Sequence, residues 1–117
     1  MKEEKQTRKN TRTQVWPDTR AILRIVDPLA PRRKVKTIKG RVGDLGATGM
    51  FFITKEFVPV PAKAEIVIDF DAKRPATLTL EAAGETVRRA ADGVGIKFTS
   101  IDMQRLQDCI MTRMNRS

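Results

Sequence analysis

The sequence predicts a mainly β domain, a small antiparallel barrel or sandwich followed by one C-terminal helix. Three observations predict it. In the second half of the chain apolar and polar residues alternate with a period of two, as half-buried strands require. Earlier in the chain, short β-branched runs are separated by turn segments rich in Pro and Gly. Near the C-terminus the apolar spacing changes to three and four, which is helical. A chain of 117 residues and 13.2 kDa has room for one compact domain and a tail. Residues 1–18 read as a flexible basic arm, 19–100 as the β domain and 101–117 as a helix packed on it.

The arm is polar, carries Lys2, Lys5, Arg8, Lys9 and Arg12, and ends at Trp16-Pro17-Asp18, where Pro17 biases Trp16 away from helix. Arg20–Asp27 is strand-like through Ile22, Ile25 and Val26, and Asp27-Pro28 stops it. A loop with Pro28, Pro31 and the run Arg32-Arg33-Lys34 follows, and Val35–Val42 reads as the second strand. Met50–Thr54 is a short apolar strand, and Val58-Pro59-Val60-Pro61 a stiff connector. Ala64, Ile66, Ile68 and Phe70 share one strand face. Leu78, Leu80 and Ala82 alternate in the next strand, and Val94, Ile96 and Phe98 in another. Asp71–Ala76 and Ala91-Asp92-Gly93 read as the hairpin turns between these runs. Met103, Leu106, Ile110 and Met114 form one helical stripe that Cys109 widens. Thr99 or Ser100 is the expected cap, with Asp102 favourable in the first turn and Arg113 and Arg116 at the C-terminal end. The stripe is expected to pack on its own barrel, with a partner or dimer face as the alternative.

The inventory excludes much chemistry. The chain has no His and no Tyr, and its only serines are Ser100 and Ser117, so no Ser-His or Cys-His nucleophile can be assembled. The single Cys109 rules out an internal disulfide and suits a reducing compartment, and a zinc site would lack both imidazole and a second thiolate. No cofactor, metal or enzymatic activity is expected. No apolar run reaches the roughly 18–20 residues of a membrane span. Met1–Lys5 lacks the apolar core of a secretion signal, so a cytoplasmic location is expected.

Charge is the first positive clue. Residues 1–41 hold 13 Lys/Arg against 4 Asp/Glu, whereas the rest holds 10 of each, so the whole net charge of +9 lies in the first third. Such asymmetry points to an anionic partner or, more simply, to a solvated basic face. Two segments could supply a site. Gly40–Gly49 holds four glycines around Asp44, matches neither a Walker loop nor Gly-x-Gly-x-x-Gly, and is expected to use positive φ and exposed N–H groups. Asp44 could accept from the N1–H and N2–H edge of guanine, or simply satisfy N–H groups of a Gly-rich corner. In Arg8-Lys9-Asn10-Thr11-Arg12, two guanidiniums four residues apart could clamp a phosphate, address guanine O6 and N7 or stack on a base.

Taken together the two segments resemble the PilZ domain family, which carries Arg-x-x-x-Arg near its start and Asp/Asn-x-Ser-x-x-Gly after the second strand. Arg8–Arg12 matches the first motif, and Asp44-Leu45-Gly46-Ala47-Thr48-Gly49 matches the second with Gly46 in the place of the serine. Met50-Phe51-Phe52, Gly84–Arg88 and Gly93–Phe98 look like the family's later strands, so the resemblance covers about residues 7–101. It implies a six-stranded antiparallel β-barrel with a C-terminal helix, and a receptor for the bacterial second messenger cyclic di-GMP that signals by ordering its arm over the barrel. By position it assigns Arg8 and Arg12 to the clamp, Asp44, Gly46 and Gly49 to the guanine edge, and Arg88 to base stacking. Losing the serine hydroxyl at Gly46 removes about 0.5–1.5 kcal/mol of hydrogen bonding, roughly a factor of 2–13 in affinity. The implied setting is motility or biofilm control with a downstream protein partner, as a monomer or weak homodimer, without membrane insertion. A PilZ-like adaptor that has lost its ligand is the first alternative. A small basic nucleic-acid-binding barrel is the second, disfavoured because solvent-facing strand positions offer few aromatics for stacking.

Overall fold

The structure, a computed structural model, describes residues 16–26, 35–74 and 76–116. Alternation shapes every strand. In β1 (Arg20–Val26) Ala21, Leu23 and Ile25 are buried while Ile22 and Arg24 face out. β2 (Val35–Leu45), β3 (Gly49–Ile53), β4 (Ala62–Asp69), β5 (Thr79–Ala90) and β6 (Gly93–Ile101) complete the β elements. The six strands close into a barrel in the order β1-β2-β3-β6-β5-β4, with β4 pairing back onto β1 and every pair antiparallel. Of the two architectures that the alternation allows, the chain adopts the barrel. Its lumen is filled by the inward rows of the strands, Leu23, Ile25, Ile38, Phe52, Ile66, Ile68, Leu80 and Val94 among them.

Two strands run further than alternation predicts, β2 through a bulge and β5 because its inward row Leu80, Ala82, Gly84 and Thr86 keeps the period of two. β2 continues past Val42 to Leu45, and β5 joins the Leu78–Ala82 run to the Gly84–Arg88 run. Register shifts lie between Val42 and Asp44 and between Thr86 and Arg88, and each extra residue breaks the period of two. The connector Val58–Pro61 carries a buried Val58, and its Pro59 carbonyl accepts a hydrogen bond of 2.6 Å from the Thr86 hydroxyl.

Helix α1 (Met103–Asn115) is capped by Asp102, whose carboxylate accepts from the Arg105 N–H at 3.0 Å. Thr99 and Ser100 are not the cap, because β6 runs on to Ile101 and holds both. The helix buries Leu106 and Cys109 and half-buries Ile110, whereas Met103, Met111 and Met114 stay exposed. The predicted stripe is therefore rotated, since its two terminal methionines lie outside the docked face. Arg113 occupies that face instead: its Nε donates to the Phe70 carbonyl at 3.0 Å and its Nη2 meets Asp18 at 3.1 Å. The same guanidinium stacks 5.2 Å from the Trp16 ring. Trp16 itself packs against the core.

Candidate ligand-binding face

The geometry of the Gly-rich segment begins with a bulge. Val42 is buried, and in a regular strand Asp44, two residues on, would share its inward face. Pairing runs Val42 to Phe52 and Asp44 to Phe51, so Gly43 is the extra residue. The bulge turns Asp44 to the outer wall and returns Leu45 to the core, where it is fully buried. β5 repeats the device. Thr86 is fully buried and pairs with Ile96, Val87 is the extra residue, and Arg88 pairs with Gly95 on the outside.

The two bulges serve one row. Asp44 faces Phe51, Phe51 faces Gly95, and Gly95 faces Arg88, so four neighbouring strands carry a carboxylate, a half-buried ring, a bare backbone and a guanidinium in line. At about 4.8 Å per strand the row spans roughly 14 Å. A Cβ at Gly95 would meet only the Arg88 carbonyl oxygen at 3.8 Å and Arg88 Cβ at 3.9 Å, so packing does not demand glycine there. Between Phe51 and Arg88 the half-buried Gly95 offers backbone alone. Lys97, exposed and two residues along β6, adds a second cation beside it.

Gly46–Thr48 turn the chain from β2 into β3, closed by a 2.9 Å bond from the Gly46 N–H to the Gly49 carbonyl. The Thr48 carbonyl accepts from the Phe98 N–H at 2.9 Å. Among the described residues no glycine has positive φ, contrary to the expectation for this segment, so the left-handed residue of an anion nest is absent. What glycine supplies here is proximity: a Cβ on Gly49 would collide with the Ile96 carbonyl oxygen.

Arg8 and Arg12 lie outside the described residues. The point where their segment joins the barrel is described. The Thr19 carbonyl accepts from the Val42 N–H at 3.1 Å, two residues from Asp44. The Thr19 N–H donates to the Trp16 carbonyl at 2.9 Å, so the chain is held from Trp16 on, and the four steps from Arg12 to Trp16 reach at most about 14 Å, the length of the row. The structure thus aligns Asp44 with Arg88 and sets Gly46 and Gly49 at the turn beside them. Phe51, Gly95 and Lys97 were missed as site residues by sequence reasoning. A charged residue at an inward position, as Asp44 and Arg88 both are by parity, is the signal that could have revealed the bulges.

Among the described residues no three His, Cys, Asp or Glu gather to hold a metal, and no helix is long and apolar enough to cross a membrane. The family model described as PilZ domain matches residues 6–112. No curated protein matches the chain.

Proposed function

The chain belongs to the PilZ domain family, a family of cyclic di-GMP receptors that bind rather than catalyse, and from that premise we propose that it is itself such a receptor. The observation that carries the reading is the pair of bulges, which bring Asp44 and Arg88 from inward parity to the two ends of one outer row. A fold spends regularity at such points when a side chain must be re-aimed.

In this reading Asp44 accepts from the N1–H and N2–H edge of one guanine, with the Gly46–Gly49 turn beside it. A base lies flat over Phe51 and Gly95, and Arg88 stacks on it. Arg8 and Arg12 reach over from the arm and hold phosphates and guanine O6 and N7. Ordering the arm over the barrel changes the surface offered to a downstream protein. The ligand is bound cytoplasmically, without a further cofactor.

Calorimetric titration with cyclic di-GMP, with GTP and GMP as controls, tests the site. Asp44→Ala and Arg12→Ala each remove charged hydrogen bonds worth about 1.5–3 kcal/mol, so affinity is expected to fall roughly 10- to 150-fold. Gly46→Ser is expected to tighten binding severalfold. Trypsin cleavage within the arm should slow when ligand is present, and equal cleavage with and without ligand would remove the arm mechanism. No heat and no thermal shift at millimolar ligand would overturn the receptor reading. It would favour the adaptor reading, for which Gly46 in the serine position is the supporting observation.

A further inference from the structure

A second feature of the outer wall has no part in that row. An open groove of about 1270 Å³ runs over the wall formed by β1, β2 and β4 to the end of β3. Its floor is aliphatic. Ile22, 37% exposed, lies directly opposite Val67 on one side and Lys39 on the other, and Ile53 lies opposite Arg41. Four cations, Arg20, Lys39, Arg41 and Lys55, line it.

The cations are arranged against their own electrostatic interest. Arg20 and Arg41 face each other across the β1–β2 pair, where like charges are unfavourable. Asp69, which also lines the groove, faces Arg20 from β4 and offsets one of these charges, while its two carboxylate oxygens accept from the N–H groups of Asp71 and Ala76. None of the four cations makes an ion pair among the described residues. Glu56 and Asp92 also line the groove, at its β3 end, where Glu56 follows Lys55 and Asp92 precedes Gly93, the partner of Ile53, so the excess of positive charge lies at the Arg20–Lys39–Arg41 end.

We propose that this groove docks an acidic segment of a partner protein, with aliphatic side chains of that segment on Ile22, Ile53 and Val67 and its carboxylates on Arg20, Lys39 and Arg41. Charge complementarity selects the acid, and the aliphatic floor selects a protein over a bare polyanion. No aromatic residue lines the groove, so nucleobases find no stacking platform there. Because the six strands close into a barrel, no strand edge is available for pairing among the described residues, and recognition runs through these side chains. The inference does not depend on cyclic di-GMP binding, since none of these residues belongs to the Asp44–Arg88 row.

The test is fluorescence anisotropy with a fluorescein-labelled peptide of Asp, Glu and Leu. The same peptide with Ser for Leu, and oligouridine, run beside it. The protein is compared with a Lys39→Glu/Arg41→Glu double variant and with a Lys63→Glu/Lys73→Glu double variant of equal net charge. All four positions are exposed, and a thermal melt checks that each variant folds. The expected result is at least tenfold tighter binding of the Leu peptide than of the Ser peptide, and at least a tenfold loss confined to the Lys39/Arg41 variant. Equal binding of the two peptides, equal loss in both double variants, or tighter binding of oligouridine than of the Leu peptide would each overturn the proposal.

Discussion

Glycines 49 and 95 sit on adjacent strands and answer to different demands. At Gly49 the β3–β6 approach leaves no space for a Cβ, because the Ile96 carbonyl oxygen occupies it. Gly49→Ala must push two paired strands apart, and overpacking of this kind costs about 1–3 kcal/mol. Gly95→Ala meets only ordinary contacts, so its stability is expected to stay within about 0.5 kcal/mol of the parent. Urea denaturation of the two variants separates them, and equal destabilisation would refute the account. The motif residues were legible because their spacing is local: Asp44, Gly46 and Gly49 follow one another in the chain. Phe51, Gly95 and Arg88 were not legible as one row, since cross-strand register is set by pairing and two inserted residues, Gly43 and Val87, shift it. Period-two reading places Asp44 with Val42 inside the barrel, and only the bulge reverses it.

At the scale of the element, α1 shows what a helical period can and cannot tell. The spacing located the helix, but its docked face depends on partners far away in sequence, such as Asp18, 95 residues from Arg113. The C-terminal end is fastened by charge. Arg116 Nη1 donates to Asp71 at 2.8 Å, and Asp71 lies at the start of the β4–β5 connection. That hydrogen bond, helped by the nearby charges of Arg113 and Arg116, holds the Asp71 carboxyl below its ordinary value, although burial opposes the shift. A carboxyl lowered in the folded state contributes stability that is fully present above its unfolded pKa, about 3.9. The contribution is lost as pH falls through the lower folded value. Asp71→Asn is therefore expected to be less stable than the parent at neutral pH, and the difference should shrink below about pH 4. Urea midpoints measured from pH 3 to pH 7 test this, and a difference that stays constant across the range would show that the Arg116 contact is not the cause.

The whole molecule adds an argument that neither residue nor element contains. Barrel closure leaves no strand edge among the described residues, so ligands and partners meet the outer wall through side chains, and the charge on that wall governs approach. The excess positive charge lies entirely in residues 1–41, of which Thr19 and Arg41 lie beside Val42, two residues from Asp44. The dianionic ligand of the proposed function would be drawn to that region over about 10 Å at 0.1 M salt and about 3 Å at 1 M salt. Arm charges that act only by steering should change how fast ligand arrives, whereas charges that touch it should change how fast it leaves. Replacing Lys2, Lys5 and Lys9 with Gln is thus expected to slow association with cyclic di-GMP at low salt, leave dissociation unchanged, and converge with the parent at 1 M salt. Arg12→Ala, which the proposed function assigns to the clamp, should instead speed dissociation at both salt concentrations. Stopped-flow measurement of both rates distinguishes the two classes. If the lysine variant also dissociates faster at high salt, the arm's lysines are contacts rather than a field, and the clamp extends beyond its two arginines.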